Sequence, residues 1–154
     1  MDRRIEAYEK VNELNSLMAT FVQMENYIIH AHFTAQIPLN ILCNKIRNCI
    51  NDSLWLSNNT GNLLTEMNTF IINEFNKNID PSWPQERANS KVRKVALEKF
   101  DEINSFKKKL KLSVTSGIKN LHEIDEFFEE QDKSDGFPIY GRTHSHKSDH
   151  ENYE

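Results

Sequence analysis

The sequence predicts an all-α protein: a bundle of four to five helices with a long first helix and a disordered C-terminal tail. Gly and Pro number only four each among 154 residues, and such scarcity favours long helices over many short strands. Apolar residues recur at alternating spacings of three and four, as on one face of an α-helix. Because this period ends near Asp132, we expect a helical bundle domain over 1–132 and a flexible tail over 133–154.

The first predicted helix covers residues 3–36 and ends before Pro38, because proline disfavours helical backbone in the residue that precedes it. A helix of this length spans about 50 Å, longer than the helices of an average compact domain. We therefore expect it either to kink or to pack partly on another chain. The second interpretation makes the protein a homo-oligomer that associates as a coiled coil through one apolar stripe, formed by Leu14, Leu17, Phe21, Met24 and Ile28.

Four further segments follow the helical period. The second helix starts near Pro38 and presents Leu39, Leu42, Ile46, Ile50 and Leu54 on one side. The polar run 57–61 predicts a loop, 63–79 a third helix, and 80–84 a stiff elbow in which Trp83 plugs the end of the bundle. A fourth helix begins near Ala88. The β-branched and small residues of 113–117 predict a kink or short break before a final helix that ends near Gln131.

Charge is sorted along the last third of the chain. Residues 87–119 hold ten Lys or Arg against three Asp or Glu, whereas 120–135 hold seven acidic residues and one Lys. The two stretches could attract each other or face different partners, and the basic one could bind nucleic acid through Lys107, Lys108, Lys109 and Lys111. A net charge of −4 and a pI near 5.9 favour an ordinary solvated surface instead.

The cysteines and the hydropathy of the sequence indicate the cellular compartment of the protein. Cys43 and Cys49 lie six residues apart in a predicted helix, where they point in different directions and cannot pair, so we expect two buried thiols. No N-terminal apolar segment and no run near the ~20 apolar residues of a membrane span occur. We therefore expect a cytoplasmic protein without a membrane partner.

The sequence contains no recognisable catalytic, phosphate-binding or metal-binding motif. His30 and His32 are two positions apart, so their side chains point to opposite sides of a helix and cannot hold one ion. His144, His146 and His150 match no structural zinc spacing. No Gly-rich phosphate loop or nucleophile motif occurs. We expect no cofactor, no metal and no catalytic residue.

One short segment of the second helix carries a resemblance. Arg47 is followed by Asn48, and an Arg followed by a polar residue resembles the motif of the HEPN family, helical-bundle ribonucleases of toxin–antitoxin and phage-defence systems. A His several positions further on completes the family motif, but no His occurs here before Trp55. The resemblance implies an RNA-associated protein with a degenerate active site.

These observations favour a small helical protein-interaction module, such as a regulator, an inhibitor or an assembly subunit. A second docking element is predicted in the tail, where a rigid apolar patch stands among polar residues and consists of Phe137, Ile139 and Tyr140 with Pro138. The HEPN-like, RNA-associated protein is the alternative.

Overall fold

The computed structural model describes residues 2–135, with side chains up to residue 123. Its α-helices are α1 (Arg3–Met18), α2 (Gln36–Asn51), α3 (Asn58–Glu74), α4 (Gln85–Glu98) and α5 (Phe100–Asp135), and a small antiparallel hairpin joins β1 (Phe21–Gln23) to β2 (Ile28–His30). The predicted all-α bundle is confirmed. Contacts divide the chain into two compact units with the boundary between Lys119 and Asn120. The bundle described below is the first unit.

The predicted long first helix is wrong, because α1 ends at Met18 and a hairpin follows. In the hairpin, Phe21 lies opposite His30 and Gln23 opposite Ile28. Six of the ten residues from Thr20 to Ile29 are β-branched or aromatic, and these types favour strands over helices. Their apolar positions match the helical spacing by coincidence, so the stripe from Leu14 to Ile28 is not one helix face.

Four helices form the bundle, and α2 and α5 both pack against α1 and α3. Helix α2 contacts α1 and α3. Helix α5 contacts the same two: Gly117 packs on Tyr8 of α1, and the Phe106 ring lies 5.2 Å from the Phe70 ring of α3. Helices α1 and α3 therefore each contact both α2 and α5. The core side chains with 1% exposure or less include Leu14, Leu42, Ile46, Leu64, Ile103 and Leu110.

Helix α4 and the hairpin occupy one end of the bundle. The Arg93 guanidinium on α4 donates to the Thr34 carbonyl at 2.9 Å, and the Asn89 side chain accepts from the Gln36 backbone N–H at 2.9 Å. These bonds satisfy backbone groups at the start of α2, where no side-chain cap is present. A one-residue break at Lys99 separates α4 from α5 where the period predicted continuity, and the Lys99 ammonium pairs with Glu74 at 3.4 Å.

The predicted loop at 57–61 is the start of α3. Ser57 is the N-cap, and its hydroxyl accepts from the Thr60 backbone N–H at 3.1 Å. Polar residues such as these are favoured at an N-cap and tolerated in the first turn, because they can bond the free N–H groups there. The polar composition that predicts a loop at 57–61 therefore belongs to the first turn of a helix.

Of the kink or short break predicted at 113–117, the break is wrong, since α5 runs through this stretch as one helix. Its small residues serve close packing. A Cβ at residue 117 would overlap the Tyr8 ring, and the buried hydroxyls of Ser113 and Thr60 bond each other. Tertiary contacts thus compensate the low helix propensity of this stretch.

Candidate interaction surfaces

The outward face of α2 combines exposed apolar and amide groups. Ile37 and Ile41, one helical turn apart, are 68% and 47% exposed. Four exposed asparagines continue this face: Asn40, Asn44, Asn48 and Asn51. Among the α-helices of residues 2–135, α2 alone has no Asp or Glu, and it carries Lys45 and Arg47. Its inward face, by contrast, is fully buried and consists of Leu39, Leu42, Cys43, Ile46 and Cys49.

The Arg47–Asn48 pair, which resembles the HEPN motif, lies on the outer side of α2 with both side chains exposed. One guanidinium nitrogen of Arg47 donates to the Asn44 side-chain oxygen at 2.9 Å. The nearest histidines along the chain stand in β2 and in the single turn after it, and His30 is only 1% exposed. The described residues therefore place no histidine on α2 to act with Arg47.

The lysines of α5 are spread around its outer side. Lys108, Lys109 and Lys111 are exposed, whereas the half-buried Lys107 has its ammonium 5.0 Å from the centre of the Phe21 ring. Successive residues of a helix are about 100° apart, so Lys107 and Lys111 lie near one edge and Lys109 near the other. Among residues 2–123, no hydrogen bond or ion pair joins these lysines to Arg47, whose guanidinium bonds Asn44 instead.

The predicted oligomer interface is divided between two elements. Leu14 and Leu17 are on α1, where Leu14 is 0% exposed and belongs to the core. Phe21 and Ile28 are on the hairpin and are 38% and 51% exposed, and Met24 lies in the turn between the strands. These residues do not form a single surface for a coiled coil.

A shallow groove of about 370 Å³ runs between α1 and the turn after α2. The Lys10 ammonium bridges it to the Asp52 carboxylate at 2.7 Å. Trp55 lines one side, with 38% exposure and the Arg3 guanidinium 5.7 Å from its ring centre. Trp83 is half-buried at the elbow, and the Arg87 guanidinium stacks 4.0 Å from its ring. Both tryptophans are thus held by arginines at bundle ends.

His30 is the last residue of β2, and its buried side chain lies among aromatic rings. It is 1% exposed, and its ring lies 4.6 Å from the Phe21 ring and 4.8 Å from the Phe100 ring. Its Nε2–H donates to the Asn104 side-chain oxygen at 2.8 Å, while Nδ1 is buried without a partner among the described residues. Burial lowers the His30 pKa, which the Asn104 hydrogen bond raises and the Lys107 charge lowers further. The imidazole is therefore neutral at physiological pH and helps to position α5.

Both cysteines are unpaired and buried in α2. Burial raises the pKa of Cys43, and it raises the pKa of Cys49 to about 11. Thiols of this kind are poor nucleophiles at neutral pH. Among the residues that the structure describes, no group of three or more His, Cys, Asp or Glu is placed to hold a metal ion.

The predicted tail elements lie outside the described residues. They are the apolar patch of Phe137, Ile139 and Tyr140 and the histidines at 144, 146 and 150. Residues 133–135, which the period assigned to the tail, belong to α5. Along residues 2–135, none of the helices has both the length and the apolar character that a lipid bilayer requires.

No protein-family model, curated protein or solved structure matches this chain. Inferences about function therefore depend on the surfaces themselves. The helical period of the apolar residues does not predict the outward face of α2 as a surface. Two features of the sequence indicate it. Ile37 and Ile41 form a second apolar pair on the side of the helix opposite Leu39 and Leu42, and the segment has no acidic residue.

Proposed function

We propose that this chain is a small helical protein-interaction module that binds a protein partner through the outward face of α2. The observation that carries the proposal is the exposure of Ile37 and Ile41 on adjacent turns of a well-packed helix. Nothing in the fold requires isoleucine there, because the opposite face of α2 already fills the core. Covering both side chains would gain on the order of 1–2 kcal/mol for each of them.

The surroundings of the two isoleucines suit a protein interface. Such interfaces combine an apolar centre with a polar rim that supplies hydrogen bonds. Here the rim consists of amide groups and of Lys45 and Arg47, with no carboxylate on the helix. The charge predicts a partner with an apolar surface bordered by acidic residues. A regulator, an inhibitor or an assembly subunit would all use a surface of this kind.

The proposal places the protein in the cytoplasm. Its support is the pair of buried, unpaired thiols, which suits a reducing compartment. The helical period favoured association through α1. We propose α2 as the binding surface instead, because Leu14 of α1 lies inside the core.

The test compares two sets of substitutions in the full chain. Ile37→Asp with Ile41→Asp changes the proposed surface, and Leu54→Asp is the control, because Leu54 is 82% exposed outside α2. Proteins captured by the wild type are identified, and the affinity of each is measured for both variants. We expect the partner to bind the α2 variant about a hundredfold more weakly and the control unchanged. Equal affinity of the partner for the wild type, the α2 variant and the Leu54→Asp control would contradict the proposal.

The RNA-associated alternative has one supporting observation, the exposure of Arg47 and Asn48 on a helix without carboxylates. It is the weaker candidate, because α2 carries only two basic side chains, Lys45 and Arg47, and no histidine to complete the motif. RNA degradation and RNA retention by the purified protein, compared with Arg47→Ala, test it. Loss of either property in the variant would favour RNA over a protein partner.

A further inference from the structure

Five exposed side chains of α2 lie along one narrow stripe. They recur at alternating spacings of four and three residues and are Ile37, Ile41, Asn44, Asn48 and Asn51. At about 100° per residue, these spacings keep the five side chains within about 80° of one another around the helix axis. This set, the α2 stripe, extends about 21 Å along the helix, because each residue adds about 1.5 Å.

The α2 stripe has the spacing of a seam between two helices. When two helices pack side by side, they meet through positions that are three and four residues apart. A partner strand, by contrast, docks through backbone hydrogen bonds at a sheet edge, and the backbone groups inside a helix are already bonded to each other. The α2 stripe therefore fits a partner that presents an α-helix.

The asparagines of the stripe have hydrogen-bonding capacity left. Among the residues that the structure describes, the side chains of Asn48 and Asn51 bond no other residue, and Asn44 uses its oxygen to accept from Arg47 at 2.9 Å. A side-chain amide offers two donors and one acceptor, and covering it without new hydrogen bonds is unfavourable. An asparagine in a helix seam fixes the register of the pair in this way. The partner must therefore supply polar groups beside the asparagines.

Basic side chains border the stripe on both sides. Lys45 and Arg47 point about 80° to either side of Ile37 around the helix axis. Neither forms an ion pair within residues 2–123, and α2 has no Asp or Glu. Charges that flank a helix seam select the partner helix. Acidic flanks would complement Lys45 and Arg47, whereas the α2 helix of a second copy would bring only further positive charge.

We propose that the partner lays an amphipathic α-helix along the α2 stripe. Its apolar residues cover Ile37 and Ile41, and its amide or hydroxyl side chains bond Asn44 and Asn48. Glu or Asp residues on both of its flanks face Lys45 and Arg47. This inference rests on the function proposed above, because it describes the partner of the same surface, and it adds the partner's secondary structure and charge.

The test is photo-crosslinking in the full chain, with the crosslinked residues of the partner mapped by mass spectrometry. A photoreactive amino acid replaces one stripe residue at a time, at positions 37, 41, 44, 48 and 51. Between positions 37 and 51, contact with a helical partner should advance about 14 residues, in steps of three or four. An extended partner would advance only about six residues over the same ~21 Å. Position 105, exposed on α5, is the control and should give no product.

The outcomes separate this inference from the proposed function. No product at positions 37 and 41 would contradict both. Products at 37 and 41 without any at 48 and 51 would overturn the helical partner and leave the proposed function intact. An advance of about six residues, or crosslinks to unrelated segments of the partner, would do the same. Crosslinks between two copies of this chain would overturn the acidic partner.

The charge of the partner helix has its own test. Lys45→Glu with Arg47→Glu reverses both flanks of the stripe. The matched control, Lys77→Glu with Lys94→Glu, makes the same change in charge at exposed positions outside α2. We expect the crosslinked partner to bind the first variant at least about tenfold more weakly and the control like the wild type. Equal affinity for the two variants would overturn the acidic flanks.

Discussion

Helices α2 and α5 both pack against α1 and α3, yet they are held in place differently. The inward face of α2 contains only aliphatic side chains and thiols, such as Leu42, Ile46 and Cys49. The inward side of α5 includes a glycine packed on Tyr8, the Ser113 hydroxyl bonded to Thr60, and Asn104 bonded to His30. Apolar packing tolerates small shifts, whereas hydrogen bonds and close approach do not. The position of α5 should therefore be the more sensitive to added side-chain volume and to pH, whereas α2 should be the more sensitive to the removal of buried apolar groups.

The largest expected effect is on the inward face of α2. Ile46→Ala should lower the free energy of unfolding by about 2–5 kcal/mol, because it leaves a cavity at a site with 0% exposure. Urea denaturation checks this value. Ile41→Ala, at an exposed position of the same helix, is the control. A similar loss of stability there would show that the Ile41 side chain is also packed against the rest of the protein.

The next effect is on α5. Gly117→Val should cost about 1–3 kcal/mol, because the new side chain would overlap the Tyr8 ring and α5 would have to move away from α1. Tyr8→Ala in the same chain should relieve the overlap, so that the two costs are less than additive in a double-mutant cycle. Strict additivity would mean that residue 117 and Tyr8 are not in contact.

A smaller effect concerns pH. Burial lowers the His30 pKa below its ordinary value of 6.5, so the unfolded chain binds this proton more readily than the folded one. Stability should therefore fall as pH decreases from 6.5 to the lowered pKa, by at most about 1.4 kcal/mol per pH unit, and His30 should cause no change above that window.

Urea denaturation of the wild type and of His30→Gln between about pH 7.5 and pH 5 measures this effect. The variant should be less stable near neutral pH but should lose the slope that His30 contributes. An identical slope in both proteins would assign the pH dependence to other groups.

The smallest effect concerns reactivity rather than stability. Because burial raises the pKa of Cys49 to about 11, the native protein should react slowly with a thiol reagent at about pH 8 and rapidly once it is unfolded. The absorbance of the released chromophore follows both reactions. Fast labelling of the native protein would show that the inward face of α2 opens readily.

The two helices also show what sequence can and cannot predict. Most of the inward face of α2 follows from spacing, because Leu39, Leu42 and Ile46 obey the helical period. The same period wrongly placed Leu54 on this side, since α2 ends at Asn51 and Leu54 is 82% exposed. The hairpin does not, because the positions of Phe21 and Ile28 fit both a helix and two short strands. The break at Lys99 has no Gly or Pro to signal it, although the Lys99 ammonium reaches Glu74 on another helix.

The candidate surfaces were harder to predict than the fold. Which apolar side chains stay exposed depends on what packs above them, and this is decided by tertiary contacts. Ile37 and Ile41 form a second apolar face of α2, and only the burial of Leu39 and Leu42 in the core shows which of the two faces stays exposed. The charge division of α5, in contrast, is visible in the sequence, and the structure adds that both stretches share one helix.

The most direct test of the account is photo-crosslinking in the cells that produce the protein. A photoreactive amino acid is introduced at position 41 on the outward face of α2 and, as a control, at position 54. We predict one discrete crosslinked product from position 41 and none from position 54, because both side chains are exposed but only the first lies on the proposed surface. Absence of a product from position 41, or the same product from both positions, would contradict the account.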